Sequence, residues 1–192
     1  MKKTIRISVA VIICVATILG YYYYLSHRNE GASVESNTEV SEVSIILSKD
    51  LLNDYPATPR AVIKWYNRII TAYYGEEYTN VQFEKLADQA RMLLDEELLE
   101  YNPRDEYISS LAKEVTDYRN RGRYIVSSDV TDTNNVHYAV KNGYDVAYVT
   151  SYYFTKEASS YERVYQEYVL RKDSAGRWKI LTFRLVNGDN YQ

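Results

Sequence analysis

The residues of this sequence that could move a proton near neutral pH are two histidines and several aspartates. His27 follows a long apolar run, whereas His137 lies between Val136 and Tyr138 in a segment of alternating polarity. Imidazole and carboxylate groups are the usual general acids and bases of enzymes. The alternation predicts that His137 points away from the core, so a solvated strand residue is the favoured interpretation and a catalytic residue the alternative.

Two aspartates near the ends of predicted strands are further candidate bases. Asp145 follows the turn Asn142-Gly143, and Asp129 opens the polar segment 129–135. A surface acid beside a hairpin is the favoured interpretation of Asp145. The segment 129–135 offers oxygen ligands for calcium, but it lacks the glycine and the final glutamate of an EF-hand loop. We therefore predict a polar connection there, with no metal site and no cofactor.

Other chemistries are excluded by residue type. The single cysteine, Cys14, lies inside the apolar run, so the rest of the chain carries no thiol. This excludes a cysteine nucleophile, a zinc ribbon and a disulfide from that part. The sequence contains no Walker loop, dinucleotide-binding glycine motif, HExxH or G-x-S-x-G.

The elements that must position these residues begin with the apolar run itself. Residues 7–25 carry no charge and are long enough to cross a ~30 Å hydrocarbon core at about 1.5 Å per residue. Lys2, Lys3 and Arg6 precede the run, so the positive-inside rule predicts a cytoplasmic N-terminus and residues 27–192 outside the cell membrane. A cleaved signal peptide is the alternative, but the run ends in tyrosines rather than in a small-residue cleavage site.

The sequence accordingly divides into five parts. We expect a cytoplasmic stub (1–6), a single transmembrane anchor (7–25), an acidic tether (26–54), an α+β domain (55–187) and a tail (188–192). The lipid bilayer is then a partner of the anchor.

The charge of the exported part bears on its other partners. Three of the 23 basic residues precede the apolar run, which leaves 20 against 26 acidic residues and a net charge of −6. We therefore expect no nucleic-acid partner, and we expect contacts with other envelope proteins or self-association instead. Within the tether, residues 43–47 are apolar enough to dock onto the domain as a strand or a short helix.

Three helical patterns open the predicted domain. The first begins with the N-cap and proline pair Thr58-Pro59, and Gly75 ends it. The second begins with a capping box between Thr79 and Gln82 and extends, with a bend, through Leu98 and Leu99. The third begins at Asn102-Pro103.

The hydrophobic period then changes from helical to alternating. Strands follow from Tyr124 onward, with a hairpin turn at Asn142-Gly143 and two closing strands over 164–171 and 177–186. Helices followed by an antiparallel meander predict an α+β fold in which the helices pack on one face of a curved antiparallel sheet.

This order resembles the nuclear transport factor 2-like fold, also called cystatin-like or SnoaL-like. The resemblance rests on residues 58–66 of the first helix and on the closing strands YQEYVLRKD and GRWKILTF. It implies a conical cavity between the helices and the sheet. The whole chain also resembles a bacterial family of single-pass membrane-anchored proteins, and no activity comes with that likeness. The fold itself hosts enzymes, carriers and scaffolds, so it implies no particular function.

A large number of tyrosines is the remaining feature of the exported part. Of 22 tyrosines, four end the apolar run and 18 follow it. Tyrosine offers contact area with a polar group, which suits a ligand pocket or a protein interface, whereas filling of the core is the structural interpretation. The side chains that we predict to line the cavity are Trp65, Tyr66, Tyr138, Tyr148, Tyr168 and Trp178.

Three functions are consistent with these patterns. An anchor, a tether and a domain without a visible catalytic constellation favour a membrane-anchored extracytoplasmic interaction or assembly module without catalytic activity. A binder of a small apolar ligand in the cone is the alternative. An acid–base enzyme is the third; the resemblance to SnoaL-like cyclases and ketosteroid isomerase implies for it an Asp or a His–Asp pair in the cone, with a tyrosine donor.

Overall fold

The computed structural model of the protein describes residues 41–188. Within this range, helices come first and antiparallel strands follow. The helices are α1 (Glu42–Ser48), α2 (Pro59–Gly75), α3 (Asn80–Arg91), α4 (Glu96–Glu100) and α5 (Arg104–Asn120). The strands are β1 (Arg123–Val130), β2 (His137–Lys141), β3 (Tyr144–Glu157), β4 (Ser160–Lys172) and β5 (Trp178–Val186). The predicted α+β fold with an antiparallel sheet is confirmed.

The predicted stub and anchor, residues 1–6 and 7–25, lie outside the described residues. So do residues 26–40 of the predicted tether. Between residues 41 and 188, no helix combines the length and the apolar character needed to cross a membrane.

The end of the predicted tether belongs to the packed domain. Residues 43–47 were expected to dock as a strand or a short helix, and they lie in α1, which Ser41 caps by accepting a hydrogen bond from the Ser44 amide at 3.2 Å. Val43 and Ile46 of α1 are completely buried in the main core. The domain therefore begins before residue 55, because these apolar side chains outweigh the acidic residues around them.

Two helix starts follow the predicted capping chemistry. The Thr58 hydroxyl accepts a hydrogen bond from the Ala61 amide at 3.2 Å, directly before Pro59. Thr79 and Gln82 form the full capping box. Both predictions are confirmed, and both caps satisfy amides that the first helical turn leaves without partners.

The second predicted helix ends earlier than its pattern suggested. α3 ends at Arg91, and the chain then runs beside the edge of β5 instead of bending into a longer helix. The Ile180 amide donates to the Leu93 carbonyl and the Asp95 amide donates to the Ile180 carbonyl, both at 2.8 Å. These bonds satisfy part of an otherwise open sheet edge, which explains why the helix stops.

The sheet has the order β1-β3-β4-β5, and β2 also pairs with β3. Because β3 has 14 residues, β1 pairs with 151–157 and β2 with 144–148 along the same edge. The strands are therefore not the simple meander that was expected. The hairpin between β2 and β3 turns at Asn142 and Gly143, with φ of 51° and 82°, which confirms the predicted turn.

The helices pack against one face of this sheet, which we call the inner face. Its first part, the packed half, is built from four side chains with no exposed surface and belongs to the main core. These side chains are Ala147, Val149, Leu170 and Ile180. Its second part, the open half, carries Ile125, Tyr153, Thr155 and Val164, which border a cavity.

Candidate functional site

The candidate site is a cavity of about 380 Å³ between the helices and the open half of the inner face. Aromatic and aliphatic side chains make up most of its wall, and a few polar groups interrupt them. Tyrosines from both layers contribute, namely Tyr66, Tyr74, Tyr107, Tyr118, Tyr153 and Tyr168. The space is large enough for a small organic molecule.

Helix α2 supplies the wall opposite the sheet. Tyr66, Ile70 and Tyr74 recur every four residues, so they form one stripe along the helix and all line the cavity. The Tyr66 ring meets the Tyr168 ring edge-on, with 5.9 Å between centroids. This contact joins the helical wall to β4 at the boundary between the packed and open halves.

Helix α5 supplies a second wall and is held mainly near its ends. At one end Arg104 donates to both carboxylate oxygens of Asp88 on α3, at 2.7 and 2.8 Å. Near the other end Arg119 donates to the carbonyls of Tyr73 and Glu76, at 3.0 and 2.6 Å. The helix buries only two residues, Leu111 and Val115.

A chain of side-chain contacts leads from the cavity into the domain. The Tyr168 hydroxyl lies 2.6 Å from the amide of Gln166 and 2.9 Å from the Tyr153 hydroxyl. Tyr153 donates to Oδ1 of Asn67 at 2.6 Å, and Nδ2 of Asn67 donates to Ser151 at 2.6 Å. Ser151 then donates to the Asp129 carbonyl at 3.0 Å. We call these six residues the relay.

The tyrosine hydroxyls of the cavity stay neutral over the physiological range. Burial raises the pKa values of Tyr66, Tyr153 and Tyr168 well above their ordinary value, because the phenolate form would lose its hydration. Burial likewise raises the pKa of Tyr107 to about 12. These groups can donate and accept hydrogen bonds, but they do not supply a base near pH 7.

Charged groups lie at the mouth of the cavity. Glu114 is exposed, accepts a hydrogen bond from the Tyr74 hydroxyl at 2.8 Å, and is the one carboxylate of the lining within residues 41–188. Arg123 contacts Glu162 at 3.0 Å, and its guanidinium lies 4.9 Å from the Tyr118 ring centroid. The charge at the mouth is therefore mixed.

Two of the six side chains predicted to line the cavity do so, Tyr66 and Tyr168. Trp65 instead faces α1 and lies beside the cations of Lys49 and Arg68, at 5.1 and 5.2 Å. It precedes Tyr66 by one position in the helix, and this step turns it away from the sheet.

The other three predicted side chains also lie elsewhere. Tyr148 is on the outer face, where its ring is 5.8 Å from that of His137. Tyr138 and Trp178 pack edge-on at 5.8 Å beyond the packed half. The position of Tyr148 follows from strand alternation, because residues 147, 149, 151, 153 and 155 of β3 face the helices and Tyr148 does not. Tyr138 pairs with Ala147 of the inner face and Trp178 belongs to the main core, so these two lie outside the cavity because they are at the far end of the sheet.

The candidate bases of the sequence do not enter the cavity. His137, Asp129 and Asp145 are all exposed, and none of them lines it. The side chain of Asp145 is 3.5 Å from Lys172, as expected for a surface acid beside a hairpin. Within residues 41–188, no group of three His, Cys, Asp or Glu side chains is arranged to hold a metal ion.

Sequence reasoning missed the relay and part of the wall. Asn67 is 2% exposed in the middle of the apolar stripe of α2, and Ser151 is completely buried. An asparagine between the core residues Val62 and Tyr73 was the available signal, because a buried amide requires partners. Tyr153 was missed because the prediction placed Tyr148 on the cavity side of β3, which by strand alternation puts Tyr153 on the other side.

Comparisons with known proteins address the family. None of the curated proteins matches the sequence. A family model described as "Domain of unknown function (DUF6715)" matches residues 1–183. Because this match covers far more than half of the chain, the protein belongs to that family.

Proposed function

We propose that the domain binds a small, largely apolar molecule in the cavity and that residues 7–25 anchor it to the outer side of the cell membrane. The observation that carries this proposal is the cavity itself, with about 380 Å³ of space behind the tyrosines. Ligand sites are typically concave and mostly apolar, with a few polar groups that orient the ligand. The tyrosine hydroxyls and Gln166 are such groups here.

We further propose that the domain is a nuclear transport factor 2-like domain. Helices that precede the strands, their packing on the inner face and the cavity beside α2 and α5 support this assignment. The likeness to bacterial single-pass proteins supports the anchor.

The charges of the lining favour binding over acid–base catalysis. Glu114 is exposed at the mouth and already accepts a hydrogen bond from Tyr74. The buried hydroxyls have raised pKa values and stay protonated. A proton abstraction would need a base in contact with the bound molecule.

Calorimetry with naphthalene tests the proposed binding. The full-length chain in lipid nanodiscs is titrated, and the heat of partition into empty nanodiscs is subtracted. About 10 carbon atoms at roughly 0.5 kcal/mol each predict a sub-millimolar Kd.

The matched variants for this experiment carry tryptophan on the same helix. Ile70→Trp fills the cavity and should abolish the binding heat, whereas Lys64→Trp on the exposed side of α2 should keep it. No binding by the wild-type chain, or equal binding by Ile70→Trp, would refute the proposal.

Protease treatment of intact cells tests the anchor. Externally added protease should remove residues 27–192 while leaving a cytoplasmic control protein intact. Full protection of the domain would overturn the proposed orientation.

An interaction or assembly module is the second candidate function. The outer face favours it, because Tyr124 and Tyr161 are 40% and 55% exposed and flank the ammonium group of Lys156 at 5.8 and 5.3 Å. Crosslinking of the full-length chain in cells tests this candidate. One envelope protein, or a second copy of the chain, recovered in near-stoichiometric amount and lost on Tyr161→Ser, would support it; recovery unchanged by that substitution would not.

A further inference from the structure

The hydrogen bonds of the relay all run in one donor-to-acceptor direction, and the Asp129 carbonyl at its inner end sets that direction. The Asp129 carbonyl can only accept, so Ser151 donates its hydrogen there, at 3.0 Å. The Ser151 oxygen therefore accepts from Nδ2 of Asn67 at 2.6 Å. This fixes the amide of Asn67, whose Oδ1 then faces Tyr153.

The direction continues through the two buried tyrosines. Tyr153 donates its single hydroxyl hydrogen to Oδ1 of Asn67 at 2.6 Å. The 2.9 Å contact between the hydroxyls of Tyr153 and Tyr168 then needs the hydrogen of Tyr168. In this direction Tyr153 donates to Asn67 and Tyr168 donates to Tyr153, so neither hydroxyl has a hydrogen left for Gln166 or for a ligand.

The outer end of the relay is Gln166, whose amide lies 2.6 Å from the Tyr168 hydroxyl. The structure places Oε1 of Gln166 toward Tyr168, whose hydroxyl donates to it. In that arrangement three oxygen–oxygen contacts share the two hydroxyl hydrogens of Tyr168 and Tyr153, so one buried contact lacks a hydrogen. A half-turn of the amide exchanges Oε1 and Nε2 and leaves the contact distance almost unchanged. Nε2 then donates to Tyr168, and each of the five contacts within the relay has one hydrogen.

We infer that the cavity presents a hydrogen-bond acceptor, Oε1 of Gln166, and that its ligand carries a hydroxyl or an N–H group on an apolar body. This rests on the proposed binding function. Gln166 lines the cavity, and the amide atom turned away from Tyr168 has no hydrogen-bond partner among the described residues. A ligand that only accepts, such as an ether, leaves this oxygen without a donor.

The remaining polar groups agree with such a ligand. Tyr66 and Tyr107 line the cavity, and their hydroxyls make no hydrogen bond among the described residues, so they can donate to the oxygen of an alcohol. Glu114 and Arg123 give the mouth one acidic and one basic group, which favours a neutral ligand over an ion of either sign. The class that fits is a neutral alcohol, phenol or amide.

Three probes that share the naphthalene ring system test this inference. 2-Naphthol donates and accepts, 2-methoxynaphthalene only accepts, and naphthalene does neither. Their Kd values are measured by calorimetry with the full-length chain in nanodiscs, with partition into empty nanodiscs subtracted. The expected result is 2-naphthol binding about ten times more tightly than 2-methoxynaphthalene, the effect of one buried hydrogen bond.

The variant Gln166→Met assigns the preference to the amide. Methionine keeps the length of the side chain but cannot accept a strong hydrogen bond, so the ratio of the two Kd values should fall toward one. A preference that persists in Gln166→Met overturns the inference. Circular dichroism checks that the variant folds, and the wild-type comparison stands without it.

The outcomes separate the inference from the proposed function. If the three probes bind the wild type with similar Kd values, or the ether binds best, the inference fails while the binding function stands. If none of the three binds, the binding function itself fails.

Discussion

The packed half and the open half of the inner face belong to one sheet, yet only one of them borders a cavity. In the packed half, aliphatic side chains such as Leu170 and Ile180 meet aliphatic side chains from the helices. In the open half, tyrosines from α2, α5, β3 and β4 face one another. An aliphatic wall could move inward to recover lost dispersion contacts, whereas a ring whose hydroxyl is fixed by hydrogen bonds cannot do so freely. The difference indicates that the hydrogen-bonded tyrosines of the relay keep the cavity open.

The largest expected effect separates two neighbouring isoleucines of α2. Ile69 is completely buried in the core, whereas Ile70 lines the cavity. Ile69→Ala should lower the free energy of unfolding by about 3 kcal/mol and Ile70→Ala by about 1 kcal/mol, because only the first leaves a new void in packed surroundings. Urea denaturation of the full-length chain in detergent measures both, and equal losses would contradict the comparison.

The next largest loss of stability is expected from a change in the relay. Tyr153→Phe removes the hydrogen that Asn67 accepts at 2.6 Å and should cost about 2 kcal/mol, since a buried acceptor is left without a partner. Tyr74→Phe removes a hydrogen bond to the exposed Glu114 and should cost about 0.5 kcal/mol. The same denaturation series compares them. If Tyr74→Phe lowered the free energy of unfolding as much as Tyr153→Phe, the relay would not be the main stabiliser of the cavity wall.

Alkaline pH should lower the free energy of unfolding through the buried Tyr168. Burial raises the pKa of Tyr168 in the folded domain, whereas the same hydroxyl in the unfolded chain ionises near pH 10. The contribution of neutral Tyr168 to the free energy of unfolding is therefore fully present below pH 10. It is lost as the pH rises from there toward the pKa of the folded state, by about 1.4 kcal/mol per pH unit. Tyr168→Phe should flatten the fall in unfolding free energy above pH 10. Tyr101→Phe, at a ring that is 81% exposed, is the control and should leave the fall unchanged.

The smallest effect tests whether the open half accepts extra volume. Val164→Leu adds a methylene beside the cavity and should change the free energy of unfolding by less than about 0.5 kcal/mol. Val149→Leu adds the same group in the packed half, where no surface is exposed, and should cost about 1 kcal/mol. Thermal unfolding of the pair checks this. A destabilisation by Val164→Leu that matched Val149→Leu would mean that the open half is already filled.

Local chemistry made the helices and the hairpin predictable. Thr58-Pro59, the capping box at Thr79 and the Asn142-Gly143 turn each depend on residues close in the chain. The early end of α3 was not predictable in this way, because it depends on pairing between Leu93, Asp95 and Ile180, far apart in sequence. Long-range pairing leaves no periodic signal in either partner.

The candidate site was predictable only in part for the same reason. Tyr66 and Tyr168, named among the aromatic residues predicted to line the cavity, do line it. The facing direction of β3 was ambiguous, since its two sets of alternating residues both include tyrosine. Contacts with α2 place Tyr153 on the inner face, because Asn67 bonds there to both Ser151 and Tyr153.

The pairing of residues 93–95 with β5 has a consequence for motion. It ties the helical layer to the sheet at the packed half, through two backbone hydrogen bonds at Ile180 and an ion pair between the 4%-exposed Asp95 and Arg171. Near the cavity, α5 is fastened chiefly by arginines near its two ends. Amide hydrogens at 93–95 and 180 should therefore exchange with deuterium only in global opening, whereas the middle of α5 should exchange by local fluctuation. We therefore expect a bound molecule to enter the cavity beside α5 rather than beside β5.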